Sequence, residues 1–271
     1  MRFLPASVLV MGMAIGAPAT ASEIDAESEP LPPSERIERM GRALNGDLEE
    51  LDALQGDDSG RWAQLVRGLA LGAAGRDREA VTALEGAARS GHNLAPRVLA
   101  LHHYERNQWL DAYAWARLAM EVDAALGNLE MADLQGSWSL YLAVQAAESL
   151  DADRHAEADR RARDYLAEYL DPLVAEDLAR DDDRGFEGED VVKRRRPSFP
   201  RSMWENGRPG WAYVYFAINR DGSVGDTLAL AASHPRFGRA AARAVRKWRF
   251  DTEAFDDLPA TGLQLIDFNL R

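Results

Sequence analysis

Side chains able to do chemistry are few in this chain and poorly grouped for it. Five histidines occur, at 92, 102, 103, 155 and 234, and cysteine is absent. Without cysteine there is no disulfide scaffold, thiolate zinc site, iron–sulfur cluster or lipidated thiol. His102 and His103 are adjacent, so on a helix they diverge by about 100° and do not share a metal easily. They read as surface or half-buried side chains, not ligands. Asp221 could serve as an acid, but it precedes Gly222 and fits a turn. The acidic cluster from Asp181 to Asp190 lacks the alternating oxygen ligands and distal Glu of a calcium loop, so it reads as solvated linker. No nucleophile elbow, zinc-protease helix, P-loop or dinucleotide fingerprint occurs. The expectation is a protein without catalytic residues, cofactor or metal.

One charged pattern stands apart. Arg236, Arg239, Arg243 and Arg246 fall at i, i+3, i+7 and i+10, with Lys247 and Arg249 beside them and no acid between 236 and 249. That spacing lines one helical face. Three readings stay open: a solvated outer face, a face for an anionic partner such as lipid head groups, or a face that docks on the acidic part of the same chain in a salt-sensitive way. The whole chain of 271 residues carries a net charge of -13, which argues against nucleic acid as a partner.

The elements that position these residues divide the chain. Met1 to Ala21 has a basic start, an apolar run from Phe3 to Ile15 and the small-x-small site Ala19-Thr20-Ala21. That predicts a signal peptide cleaved after Ala21, its apolar run too short to span a bilayer. Residues 22–33 read as an acidic, proline-bearing disordered lead-in. Ser34 is expected to cap a helix reaching Leu44, and helical pattern continues to about Ala179, punctuated by Gly56 to Gly60, Gly75, Gly91 and Gly127. A shift of 32 residues lays Ala63 on Ala95, Val66 on Val98, Leu69 on Leu101, Ala80 on Ala112 and Ala87 on Ala119. Such a period predicts stacked helix pairs. Leu129 to Leu150 and Ala152 to Leu170 read as two longer helices capping the array. Trp62, Trp109, Trp115 and Trp138 read as core.

Residues 180–195 form an acidic-to-basic linker ending in Lys193-Arg194-Arg195-Arg196. Beyond it the charge reverses. Residues 191–271 hold 14 basic and 8 acidic side chains, net +6; residues 1–190 hold 18 and 37, net -19. The reversal suggests a boundary near 190 between two independent domains, 34–179 and 196–271. In the second, Gly210 to Ile218 alternates as a strand, Asn219 to Gly222 is a hairpin turn, and Val224 to Ala232 pairs back. Pro235 opens a helix with the stripe Phe237, Ala241, Ala244, Val245 and Trp248, and Gly262 to Leu270 is a third strand. The fold class is α+β: an all-α array of helix pairs followed by a three-stranded antiparallel sheet with a packed helix.

Two resemblances follow from these residues. Gly75 to Ala80 with Ala87 to Gly91, and Asp111 to Trp115 with Ala119, resemble the Sel-like branch of tetratricopeptide repeats. Pro197-Ser198-Phe199-Pro200, the strand from Gly210 to Ile218, Asp221-Gly222-Ser223-Val224, Ala241 to Val245 and Trp248-Arg249-Phe250 together resemble the TonB C-terminal domain, over about residues 196–271. That resemblance implies a periplasmic, non-enzymatic βαβ-type module that docks on outer-membrane receptors by strand addition, linked to transport. It also implies that Thr227 and Ala229 face the sheet's core, whereas alternation points Leu228 and Leu230 inward; a bulge after the turn reconciles the two. The last strand has an edge with no successor to pair with, so Leu263, Gln264, Leu265, Ile266, Asp267 and Phe268 are the expected surface for an outer-membrane receptor or periplasmic peptide segment. Another reading is a ligand-binding protein or enzyme with its site in the groove of the helical array.

Overall fold

A computed structural model describes residues 31–50, 61–127, 136–178, 191–255 and 258–270. The expected signal peptide 1–21, most of the expected lead-in 22–33 and residues 180–190 of the expected linker lie outside it. Helix α1 spans Pro33–Leu44, with Pro33 in its first turn and Pro32 before it. Ser34 therefore does not cap this helix: it already lies inside the first turn, where the fixed φ of Pro33 starts the helix one residue earlier. Two helix pairs follow, α2 (Arg61–Ala73) with α3 (Asp77–Arg89) and α4 (Ala95–Glu105) with α5 (Trp109–Ala125). Asp77 and Trp109, which open the second helix of each pair, are 32 residues apart, the spacing of the sequence period. Gly75 closes the turn inside the first pair with φ of 73°, a conformation a Cβ disfavours.

Helix α5 is the hub. Leu110, Ala112, Ala114, Trp115, Ala116, Leu118, Ala119 and Val122 are buried on several of its sides, because α4, α6 (Trp138–Glu148) and α7 (His155–Leu178) all pack on it. The two capping helices differ from expectation. Helix α6 starts at Trp138, where Ser137 caps it by accepting the Leu140 N–H at 3.3 Å. A single 3₁₀ turn, Ala152–Arg154, precedes α7, which runs through Pro172 to Leu178.

Short helix α8 (Arg201–Glu205) leads into β1 (Gly210–Ile218), β2 (Val224–Ala232), α9 (Pro235–Val245) and β3 (Ala260–Phe268). The strands form an antiparallel sheet in the order β2-β1-β3. The last strand begins two residues earlier than its sequence pattern indicates. On one face of the sheet, Ala212, Val214, Phe216, Ile218, Ile266 and Phe268 pack with Phe237, Ala241 and Val245 of α9 and with Trp248 just beyond it.

The other face is covered too. Tyr215, Ala217 and Leu230 pack with Ile37, Met40 and Ala43 of α1 and with Val66 and Ala70 of α2. Trp211 joins the core of the helical array and meets Trp138 edge to face at 5.7 Å. The sheet is thus the middle of three layers. Residues 31–271 make one compact unit, and the boundary suggested by the charge reversal near 190 falls inside it. β1 is buried along nearly its whole length, as expected of a strand apolar on both sides.

This second covered face resolves the β2 conflict. Thr227 and Ala229 stand opposite Phe216 and Val214, facing α9, while Leu228 and Leu230 turn to α1 and α2. Pairing passes from Tyr213↔Ala231 to Val214↔Ala229, so Leu230 is the extra residue of a bulge.

Candidate functional site

The site begins with the backbone of β3. Which of its polar groups point outward follows from β1. The Trp211 N–H donates to Ser233 Oγ at 2.9 Å, and the Trp211 carbonyl accepts from the Ser233 N–H at 3.0 Å, so Trp211 faces β2. Its neighbours Ala212, Val214 and Phe216, at alternate positions, face β3, opposite Ile266, Gln264 and Gly262. In β3 those residues close the ladder, and Leu263, Leu265 and Asp267 direct their backbone groups away from the sheet. The Leu265 carbonyl shows it: it accepts the Gln264 side-chain amide at 2.8 Å on the outer side. Among the described residues no strand pairs with this outer edge.

The side chains of the six expected edge residues divide differently. Ile266 and Phe268 are buried under α9; Leu263 and Leu265 pack, half-buried, towards the helical layers. The strand thus offers a partner its backbone more than its side chains.

Asp267 is held from behind. Its carboxylate accepts from Arg97 at 2.5 Å, and the same guanidinium donates to Asp123 at 2.8 Å. Arg97 lies on α4 and is 5% exposed; Asp123 lies on α5 and is 7% exposed. Burial disfavours the Arg97 charge, but the carboxylates of Asp267 and Asp123 outweigh it and hold the guanidinium above its ordinary value. Burial likewise pushes the Asp123 carboxyl up, and Arg97 opposes it. One cation thus ties the edge strand to two helices.

Beside the edge runs the arginine segment. The Trp248 indole N–H donates to the Arg195 carbonyl at 2.9 Å, and Arg194 lies over the Trp248 ring at 4.9 Å. Phe199 anchors the far end against Phe237 and Phe268, at 5.6 and 5.7 Å. Between this segment and β3 lies a groove of about 460 Å³ lined by Arg194, Arg195, Arg196, Pro197, Trp248 and residues 265–269. The groove has a free strand edge for one wall and arginines for the other. Its chemistry suits an extended chain bearing carboxylates.

The basic stripe lies elsewhere. Arg236, Arg239, Arg243 and Arg246 are exposed on the outer side of α9, which packs on β1 and β2 across the sheet from the helical layers. Docking of this stripe on the acidic helices is therefore not what the structure has: apolar side chains and Arg97 join the two halves instead. The histidines also differ from expectation. His92, His102 and His103 are 7%, 8% and 8% exposed, and burial lowers His92 and His102 to about 4. Asp221 serves its turn, accepting the Ser223 N–H at 2.9 Å. Among the described residues no three potential metal ligands gather, and no helix is long and apolar enough to cross a membrane.

Arg97, with its partner Asp123, is the part of the site that sequence reasoning missed. Its signal was present: it sits three residues after Leu94 and four before Leu101, on an apolar face where a cation needs a buried partner. No curated protein and no solved structure matches the chain. The family whose model matches is described as Gram-negative bacterial TonB protein C-terminal, and it covers residues 195–270, from the arginine segment through α9 to the end of β3. The sheet, its packed helix and most of the groove's lining thus lie in a segment similar to the TonB C-terminal domain, joined here to an array of helices.

Proposed function

We propose that this protein is a non-enzymatic adaptor of the periplasm that captures an extended segment of a partner on the outer edge of β3, the helix pairs, similar to Sel-like repeats, serving as its scaffold. The partner is an outer-membrane receptor or a periplasmic peptide segment, and the capture belongs to transport across the envelope. The observation that carries this reading is the outward backbone of Leu263, Leu265 and Asp267, open beside Arg194 to Arg196. Main-chain hydrogen bonds would give affinity, and the arginines would select carboxylates in the incoming strand. A signal peptide cleaved after Ala21 supplies the location, which the intact mass of the exported protein tests.

Proline substitution tests strand capture, because proline removes one backbone N–H. In the full chain, Gln264→Pro and Ile266→Pro break the ladder to β1 and lower stability by about 1–3 kcal/mol. Leu263→Pro and Leu265→Pro leave the ladder whole and abolish binding of a labelled extended peptide with alternating glutamates. Equal peptide binding by wild type and both outward-facing variants overturns strand addition.

A further inference from the structure

Many arginines of the helical layers already have their counter-charge. Arg39 pairs with Glu35, Arg76 with Glu79, Arg89 with Glu168 and Arg161 with Asp111. Helix α9 is different. Its exposed Arg236, Arg239 and Arg243, with Arg246 just beyond its end, crowd one another at helical spacing, and among the described residues none meets a carboxylate within 4.0 Å. Arg236 and Arg246 reach only the hydroxyls of Ser202 and Thr227. Like charges at this spacing oppose the helix, so a counter-charge from outside would relieve it.

The apolar surface points to what carries that counter-charge. Val144, Val192 and Trp204 are the exposed large hydrophobic side chains among the described residues, and Trp204 lies next to the stripe. Trp204, 52% exposed, lies on α8 next to the start of α9: Ser202 bonds Arg236, and the Trp204 ring meets Phe199 at 5.5 Å, which in turn meets Phe237. Val192, 71% exposed, precedes Lys193, whose backbone pairs with Arg249 beyond the other end of α9. Free phosphate or a sulfated polysaccharide offers an exposed indole no apolar surface to settle in, and the chain's net charge of -13 argues against nucleic acid. A bilayer surface uses both kinds of group, because indoles settle at headgroup level while arginines meet phosphates.

We propose that the α9 face rests on a bilayer surface carrying anionic phospholipid headgroups, with Arg236, Arg239, Arg243 and Arg246 on the phosphates and Trp204 at the interface. The chain's overall charge of -13 does not prevent this, since its acid is concentrated in residues 1–190. Helix α9 packs on β1 and β2, so the edge of β3 stays available while α9 is engaged.

Sedimentation of the full chain with vesicles decides it. The protein should pellet with phosphatidylglycerol–phosphatidylcholine vesicles at low salt and not with phosphatidylcholine alone. The double variant Arg239→Gln/Arg243→Gln should bind roughly 30-fold more weakly, about fivefold for each charge removed. Trp204→Ser should also weaken binding, whereas Val144→Ser, on α6, should not. All four substituted residues are exposed, so melting temperatures report any loss of fold. Absence of pelleting with anionic vesicles, or equal pelleting by wild type and the double arginine variant, overturns the proposal. So does vesicle binding that free inorganic phosphate displaces, or binding to heparin that needs the arginines while vesicles stay unbound.

Discussion

A single histidine reports on the joint between sheet and helices. His92 follows the turn after α3, stacks on Trp62 at 6.1 Å and meets Tyr213 edge to face at 6.2 Å. Its Nδ1 accepts the Leu94 N–H, which requires an unprotonated nitrogen there. Burial holds the ring neutral, lowering it from 6.5 to about 4. The unfolded chain takes up the proton at the higher value, so this contribution to stability is complete above pH 6.5 and is lost as pH falls towards 4. The loss amounts to roughly 3 kcal/mol. His92→Gln cannot lose it. Denaturant unfolding between pH 7 and 4 should therefore show the stability difference between wild type and variant shrinking by about that amount. A difference that stays constant across the range would mean that His92 does not titrate into the unfolded state in this way.

The individual strands and α9 were legible because their signals are local. Alternation from Gly210 to Ile218, the Asn219 to Gly222 turn and Pro235 at a helix start each need only neighbouring residues. Bounds drift where an end is set by pairing: β3 starts at Ala260 because Ile218, at the end of β1, is there to pair with it. What covers the back of the sheet was not legible. Trp211, Tyr213 and Tyr215 plainly line a second apolar face, but their partners Trp62, Trp138 and α1 are 70 to 180 residues away, and no local rule names them. The latch behind β3 was not legible, since Arg97 and Asp267 are 170 residues apart. At this scale α9 also depends on one small residue. A Cβ at Gly210 would collide with the Phe237 ring, itself wedged against Phe199 and Phe268. Gly210→Ala should destabilise the protein by about 1–3 kcal/mol through overpacking. An unchanged denaturation midpoint would show that Phe237 has room to move.

For the whole molecule, the covered second face decides what can be separated from what. A fragment of residues 191–271 leaves Trp211, Tyr215, Leu230, Leu263 and Leu265 without the helices that pack on them. It should self-associate and bind a hydrophobic dye, as large exposed apolar patches do, while the full chain stays monodisperse. A fragment that is monomeric, dye-free and as stable as the parent would show that the helical layers are dispensable. The same contact bears on inheritance. Trp138 and Trp211 share one joint, as do Arg97 and Asp267, so a change on one side is tolerated when the other changes with it. Descendants of this chain are expected to exchange such residues in matched pairs, and a recombination event that grafts the sheet onto foreign helices breaks every pair at once.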